Sequence, residues 1–235
     1  MIAPITIAIP VGPSDANQKW LPDCIESIVQ QELRPQEVLF IDDQAHLDMD
    51  SLRQALELET IEVNHWKTPW LSGVAHAFNF GVALAKNDLV IMLGSDDELA
   101  PLAVSDCWRS WEEFGNPLGY YFMDVAYMGS DETQSLPCNA AMVHKNLWRR
   151  SGGFPPQSAM GRPDTILISM LMTQGPTVGE LLNVESKEPP YLYRSHPDTD
   201  TNIRHGRWES GIMEFMEDYQ TEWTPPLWPF GKDRS

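Results

Sequence analysis

Apolar segments alternate with helical patterns along the first hundred residues, and this alternation constrains the fold more than any other feature. The apolar segments cover residues 6–9, 37–41, 61–65 and 89–93, and the helical patterns cover residues 19–31, 49–58 and 74–85. Strands that alternate with helices favour parallel pairing through right-handed crossovers. The sequence therefore predicts an α/β protein whose first half has the type of sheet found in nucleotide-binding proteins.

A pair of carboxylates follows two of these predicted strands. Asp42 and Asp43 come at the end of the second strand, and Asp96 and Asp97 follow the strand at 89–93. Ligands of open α/β sheets bind beyond the carboxyl ends of the strands, so both pairs are predicted to face one crevice. Adjacent carboxylates repel each other when they are buried, which favours a divalent cation or hydrogen-bond donors beside them. A metal-bound nucleotide suits this arrangement.

The composition argues against several classes of protein. The 235 residues include three cysteines that lie far apart, which indicates neither a disulfide framework nor a zinc cluster. The formal net charge of −18 disfavours extended binding to nucleic acid or to an anionic membrane. No apolar run has the length of a transmembrane segment, and the first residues lack the basic region of a signal peptide, so a cytoplasmic protein is expected.

The second half of the chain has a weaker pattern. The predicted elements are a helix up to residue 114, strands over 119–127 and 140–144, a turn or loop at 151–156, and a short apolar helix over 165–172. Glycine and proline mark the turn. Residues 219–235 form a tail rich in proline and tryptophan, in which proline disfavours regular structure.

Six short motifs follow one another in a fixed order along the chain. They are Ile7-Ala8-Ile9-Pro10, Ser27-Ile28-Val29-Gln30-Gln31, Phe40-Ile41-Asp42-Asp43, the segment from Gly73 through Asn79-Phe80-Gly81 to Asp88, Ser95-Asp96-Asp97, and the segment from Lys145 to Gly152-Gly153-Phe154. In this order they resemble the GT-A fold glycosyltransferases of the family 2 type. Each motif alone is weak evidence, whereas the ordered series is strong. The resemblance covers residues 5–200 and implies a mostly parallel central sheet flanked by helices.

The resemblance also implies an organisation and an activity. A GT-A-like domain would cover residues 1–218, with a nucleotide-sugar-binding half at 1–97 and an acceptor-side half at 98–218, followed by the tail at 219–235. The implied activity is an inverting transfer of a sugar from a nucleotide-diphosphate donor to an acceptor hydroxyl, with Mn²⁺ or Mg²⁺ as cofactor. The acceptor is left open between a glycan, a lipid-linked molecule, a protein and a modified nucleobase.

The matching motif positions supply candidate donor and metal residues. The resemblance places Pro10, Asp43, Asn79 and Asp96 at the donor and makes Asp97 the main metal ligand. Asp96 would lie against the ribose or the metal, and Asp43 would accept a hydrogen bond from the base. An aspartate at such positions also commonly caps a helix or closes a turn, which is the alternative for each.

The resemblance further implies a general base just before a helix that follows the glycine pair. Asp164 best matches this position, and it suits the N-cap of the predicted helix at 165–172 equally well. In Tyr193-Arg194-Ser195-His196, which resembles a late family segment, His196 would approach the metal and basic residues would approach the diphosphate. The alternative for His196 is a surface histidine.

The chain departs from the family pattern at three places. Residues 10–15 lack the aromatic residue and the asparagine that commonly follow the first strand, and Phe78 stands where an arginine is usual. The usual acidic doublet after the glycine pair is reduced to Asp164. Two further interpretations are therefore kept, a non-catalytic nucleotide- or glycan-binding domain and a GT-A-like nucleotidyltransferase. Nucleotidyltransferases usually carry a Gly-rich basic loop after the first strand, and residues 12–15 contain no basic residue.

Overall fold

The computed structural model describes residues 1–154, 163–174 and 178–197. Its strands are β1 Ile2–Val11, β2 Arg34–Asp42, β3 Glu62–Lys67, β4 Leu89–Met92, β5 Glu98–Leu99, β6 Gly119–Phe122, β7 Val125–Tyr127, β8 Thr133–Gln134, β9 Ala141–His144, β10 Glu180–Asn183 and β11 Tyr191–Tyr193. Its helices are α1 Asp15–Val29, α2 Met49–Glu57, α3 Val74–Leu84, α4 Ala103–Glu113, α5 Lys145–Ser151 and α6 Pro163–Gln174.

Seven strands form a large sheet in the order β10-β6-β9-β4-β1-β2-β3. β1 pairs in parallel with β2 and β4, β2 pairs in parallel with β3, and β6 pairs in parallel with β10. β9 runs antiparallel to both β4 and β6. The six strands other than β9 therefore run in one direction, and their last residues lie at one side of the sheet, which we call the carboxyl edge.

Helices cover both faces of the large sheet. Along β1, Ile7 packs into the same apolar cluster as Cys24 and Ile28 of α1, whereas the next residue, Ala8, packs on the opposite face with α3. Successive side chains of a strand point to opposite faces, which explains this alternation. α3 lies very close to β1, because a Cβ on Gly81 would be 2.8 Å from the Cβ of Ala8.

A smaller sheet, in the order β5-β11-β7-β8, begins where the chain leaves the large one. Met123 still donates to the carbonyl of Ala140 at 2.8 Å, beside β9, whereas the carbonyl of Asp124 accepts from the N–H of Tyr191 at 3.3 Å, on β11. The chain thus changes strand partners at Asp124. The prediction of one strand over 119–127 is wrong, since β6 and β7 belong to different sheets.

The alternation predicted for the first half is confirmed. The four predicted strands are β1 to β4 and the three predicted helices are α1 to α3, with parallel pairing throughout. The helix α5 was not predicted from the sequence. It ends at Ser151, and Gly152 follows with a left-handed φ of 80°, so the predicted turn directly follows a helix. The tail at 219–235 lies outside the described residues. None of the helices in the described part of the chain is long and apolar enough to cross a membrane.

Candidate active site

The loop after β4 carries the second acidic pair, and Asp97 is its buried member. One carboxylate oxygen of Asp97 accepts from the hydroxyl of Tyr191 at 2.7 Å, and the other accepts from the N–H of Arg194 at 2.8 Å. Burial raises the pKa of Asp97 to about 8, and the charge of Asp96 adds to the rise. A Cβ on Gly94 would lie 2.6 Å from the Asp97 carboxylate, so the loop closes tightly around this side chain.

Asp96 is the accessible carboxylate of the pair. Its side chain is 20% exposed, and its Oδ2 lies 3.0 Å from Nε2 of His196, whose side chain is 12% exposed. The two residues are 100 positions apart in the sequence. The structure therefore brings together two of the residues that the resemblance associates with the metal and the donor.

This pair fits two neighbouring positions around a metal ion. Adjacent ligands of an octahedral ion are about 3 Å apart when each binds at about 2.1 Å, as Mg²⁺ requires. Carboxylates suit Mg²⁺ and Mn²⁺, and imidazole is a common ligand of transition metals. Within the described residues, no group of three or more His, Cys, Asp and Glu side chains is arranged to hold a metal. An ion held by Asp96 and His196, which also lie within hydrogen-bond distance of each other, would need further ligands.

Asp43 fixes the loop that connects β3 with α3. Its Oδ1 accepts from the hydroxyl of Thr68 at 2.8 Å and from the N–H of Ser72 at 2.7 Å, so both ends of the loop 68–72 are bound to one oxygen. Between these anchors, Trp70 is 64% exposed. The carboxylate of Asp43 is buried, and its contact with the donor base stays a prediction. The observed role of Asp43 is to hold Trp70 at the carboxyl edge.

Pro10 and Asp42 lie at the ends of neighbouring strands at this edge. Pro10 is buried in β1 and pairs in register with Ile41 of β2. Asp42 closes the turn after β2, because its Oδ1 accepts from the N–H groups of Ala45 at 2.7 Å and His46 at 3.1 Å. For Asp42 the alternative of a turn-closing aspartate is the observed one, and the donor contact of Pro10 stays a prediction.

Asn79 of α3 fastens the turn that follows α5. Its Nδ2 donates to the carbonyl of Phe154 at 2.8 Å, and its Oδ1 accepts from the N–H of Phe154 at 2.9 Å and the indole N–H of Trp148 at 3.1 Å. Gly153 is required in this turn, since its φ is +72° and a Cβ there would lie 2.4 Å from Oδ1 of Asn79. The amide of Asn79 is thus engaged by the glycine-pair segment, and its donor contact stays a prediction.

Asp164 is the predicted base, and it belongs to α6. Burial raises the pKa of the Cys138 thiol to about 11, although a backbone hydrogen bond from Ala140 lowers it. The charges of Asp164, Asp97 and Asp124 make smaller contributions to the rise. The placement of Asp164 against the acidic loop stays a prediction. α6 begins at Pro163, so Asp164 lies within its first turn and the N-cap alternative is wrong.

Two other carboxylates near β6 lie at opposite sides of the sheet. Asp124 follows the last residue of β6, and its Oδ1 accepts from the hydroxyl of Ser135 at 2.7 Å. Glu180 begins β10 and pairs in register with Gly119, the first residue of β6. Asp124, unlike Glu180, therefore lies at the carboxyl edge together with Asp96.

The sequence model of glycosyl transferase family 2 matches residues 6–156. The chain belongs to this family. The matched region runs from β1 to the turn after α5 and contains both acidic pairs and the glycine pair. No curated protein matches the chain in sequence.

Solved structures with a similar fold include two complexes with nucleotide sugars. TarS of S. aureus, residues 1–349, has a TM-score of 0.66 at 11% identity, with 81% of this chain and 60% of that chain covered. The same fragment in complex with UDP-GlcNAc has a TM-score of 0.64 at 12% identity, covering 82% and 58%. The mannosyltransferase PcManGT from Pyrobaculum calidifontis, in complex with GDP-Man and Mn²⁺, has a TM-score of 0.62 at 15% identity, covering 94% and 65%. These likenesses show a GT-A fold, and the chain spans about 60% of the TarS fragment.

Phe78 stands where family 2 commonly has an arginine, and the structure explains the difference. Its side chain is 3% exposed, and its ring meets the ring of Phe154 edge-on with the centroids 6.2 Å apart. The position therefore belongs to the apolar core between α3 and the turn after α5. A cation at residue 78 would be buried there without being presented to a ligand.

The family motifs led to Asp96, Asp97 and His196 but not to the residue that links their loop to β11. Tyr191 accepts from the N–H of Gly94 at 3.1 Å and donates to Asp97, and it is 2% exposed. It lies 94 positions after Asp97. No local pattern connects the two residues, because the contact depends on how the smaller sheet packs against the loop.

Proposed function

We propose that the protein is a metal-dependent, inverting glycosyltransferase that uses a nucleotide-diphosphate sugar. The observation that carries this proposal is the 3.0 Å approach of Asp96 Oδ2 and His196 Nε2 beyond the end of β4. Membership of family 2 supports sugar transfer. The similar structures in complex with UDP-GlcNAc and with GDP-Man and Mn²⁺ support this class of donor and cofactor. The acceptor hydroxyl is left unassigned.

Asp96 and His196 are the side chains proposed to hold Mn²⁺ or Mg²⁺ against the donor diphosphate. When bound, such an ion offsets the negative charge that develops on the leaving group. Asp97 is buried and stabilises the loop through its hydrogen bonds to the hydroxyl of Tyr191 and the N–H of Arg194. Its predicted role as the main ligand would use a remaining lone pair of one of these oxygens, and the experiment below separates the two roles.

The donor base is proposed to stack on Trp70. Only β1 lies between β2 and β4. Neighbouring strands are about 4.8 Å apart, so the ends of β2 and β4 are about 10 Å apart. A nucleotide covers this span between its diphosphate and its base. Trp70 follows β3, and Asp43, directly after β2, binds both ends of its loop. Its exposed ring offers a surface on the β2 side of this span, and stacking on such a surface accepts any base. It would replace the aromatic residue that is missing after β1.

Asp164 is proposed as the general base. In an inverting transfer, the acceptor oxygen attacks the anomeric carbon from the face opposite the leaving group. The carboxylate of Asp164 takes the proton of the acceptor hydroxyl as the new carbon–oxygen bond forms. The bond between the anomeric carbon and the diphosphate oxygen breaks, and the nucleoside diphosphate leaves with the electron pair.

A thermal-shift experiment tests the donor and metal assignments. UDP or GDP should raise the melting temperature in the presence of Mn²⁺ and not in the presence of EDTA, because a ligand that binds only the folded state stabilises it. Asp96→Asn and His196→Ala should each remove most of the Mn²⁺-dependent rise, since each removes one proposed ligand. Asp124→Asn is the matched control at the same edge and should behave like the parent.

Asp97→Asn decides between the two carboxylates of the loop. The substitution keeps the shape of the side chain. Its amide oxygen can accept from the N–H of Arg194 while its NH2 group donates to the hydroxyl oxygen of Tyr191. If Asp97→Asn keeps the Mn²⁺-dependent rise and Asp96→Asn loses it, the metal belongs to Asp96, and the reverse result assigns it to Asp97. A rise of equal size with Mn²⁺ and with EDTA would contradict metal dependence.

A further inference from the structure

The segment 191–196 contacts Gly94, Asp96 and Asp97 of the acidic loop, and we call it the clamp segment. Tyr191 bonds to Gly94 and Asp97, the N–H of Arg194 donates to Asp97 at 2.8 Å, and His196 lies 3.0 Å from Asp96. The geometry of the proposed metal pair therefore depends on where the clamp segment is held.

The side chain of Arg194 holds the clamp segment against α1 and β5. Its Nε donates to the carbonyl of Asp96 at 3.0 Å, and its terminal nitrogen donates to Asp23 of α1 at 3.2 Å and also to Glu98 of β5. The guanidinium carbon lies 4.0 Å from the centroid of the Trp20 ring. The side chain is 17% exposed. A planar guanidinium suits such a combination of forked hydrogen bonds and stacking, which an ammonium group cannot reproduce.

These contacts already compensate the charge of Arg194. Asp23 and Glu98 both accept from one terminal nitrogen, Nε donates to the carbonyl of Asp96, and Trp20 lies against the guanidinium. A phosphate is therefore attracted less strongly to Arg194 than to a guanidinium without carboxylate partners. The expectation that basic residues of this segment approach the diphosphate stays a prediction.

We propose that Arg194 is a positioning residue, which anchors the clamp segment on Trp20 and Asp23 of α1 and thereby sets His196 against Asp96. This inference rests on the proposed function for its link to the donor. The proposal gives α1 a part in positioning the Asp96–His196 pair, although α1 contains none of the proposed metal ligands. Trp20 contacts the guanidinium of Arg194, so a substitution of Trp20 should affect the site in the same way as one of Arg194.

The first measurement uses the protein without ligands. In hydrogen–deuterium exchange, Arg194→Gln and Trp20→Leu should each raise the exchange rate of the amides at 191–196 by roughly 10-fold, because the anchor opens more often. Arg194→Lys should not restore protection, although it keeps the charge. Lys19→Gln is the matched control. Lys19 lies over the same ring at 4.1 Å and is exposed, so its removal should leave exchange at 191–196 unchanged.

The second measurement titrates UDP or GDP in saturating Mn²⁺. Arg194→Gln and Trp20→Leu should each weaken binding by roughly 10-fold, the scale of a lost cation–π contact with charge-assisted bonds. The double variant should be no weaker than either single variant, because both substitutions release the same anchor. Melting temperatures without ligand show that each variant is folded.

Three results would overturn the inference. Parent-like exchange at 191–196 in Arg194→Gln would show that the side chain does not anchor the segment. Nucleotide binding that is weaker in Arg194→Gln but equal to the parent in Trp20→Leu would indicate that Arg194 binds the phosphate directly. Binding in Arg194→Lys that equals the parent would indicate the same. A parent protein that binds neither nucleotide would contradict the proposed function instead, while the exchange experiment would still decide whether Arg194 is an anchor.

Discussion

Asp164 and Asp124 are both carboxylates near Cys138, but their surroundings suit different roles. Asp124 is built into the junction of the two sheets, because its Oδ1 accepts from Ser135 at 2.7 Å and its carbonyl accepts from Tyr191 at 3.3 Å. Asp164 lies in the first turn of α6, where the helix dipole favours a negative charge. The proposal of Asp164 as the base therefore rests on its motif position, and Asp124 is the carboxylate to compare with it.

Asp164→Asn should lower sugar transfer by about 10²-fold or more, the scale of a lost general base, while melting temperature and nucleotide binding stay at the parent values. The readout is the release of UDP or GDP from UDP-GlcNAc or GDP-Man, with water as the acceptor if no other is found. Asp124→Asn is the control, since an asparagine oxygen can still accept from Ser135. Loss of release in Asp124→Asn, with parent-like release in Asp164→Asn, would move the base to Asp124.

The elements that the sequence predicted correctly are those whose pattern is local. Apolar residues recur with a regular spacing within each of the elements β1 to β4 and α1 to α3. The connections between these strands are short, so few strand orders are possible. Asp124 is the one charged residue within the apolar run 119–127, and the strand partner changes there from β9 to β11. A change of partner is a property of the neighbouring strands, so the strand pattern at 119–127 could not reveal it.

The same reasoning explains which parts of the site were predicted. The acidic pairs and His196 belong to short motifs, and motifs can be read locally. The role of Asn79 depends on Phe154, which lies 75 positions away, and the role of Asp97 depends on Tyr191. Sequence reasoning named the right side chains at these places but could not tell a ligand from a support.

Asn79→Ala tests the junction between α3 and the turn after α5. It should destabilise the protein by about 2–4 kcal/mol in urea denaturation, because the buried N–H and carbonyl of Phe154 and the indole N–H of Trp148 all lose their partner. Asn146→Ala, an exposed position of α5, should stay within about 0.5 kcal/mol of the parent. Unchanged stability with weaker nucleotide binding in Asn79→Ala would instead support the predicted donor contact.

The charge of the whole molecule bears on both its stability and its ligands. The chain has 34 acidic and 16 basic residues, which leaves a net charge of −18. Basic residues pair with carboxylates, as in Lys86–Glu62 and Arg194–Glu98. Because acidic residues outnumber basic residues, a net negative charge remains after such pairing. Such a field repels an anionic donor. A bound cation at the carboxyl edge would reverse this repulsion locally, which agrees with the proposed metal dependence.

Self-repulsion of this size should make stability depend on ionic strength. The melting temperature without ligands should rise as NaCl increases from about 10 mM to 150 mM at pH 7.5, because the Debye length falls from about 30 Å to about 8 Å and screens the carboxylates from one another. The same titration near the isoelectric point of about 4.5 is the control, since the net charge vanishes there and the salt dependence should vanish with it. A melting temperature at pH 7.5 that stays constant or falls with NaCl would show that the acidic residues are spaced widely enough, or paired well enough, for their repulsion not to weaken the fold.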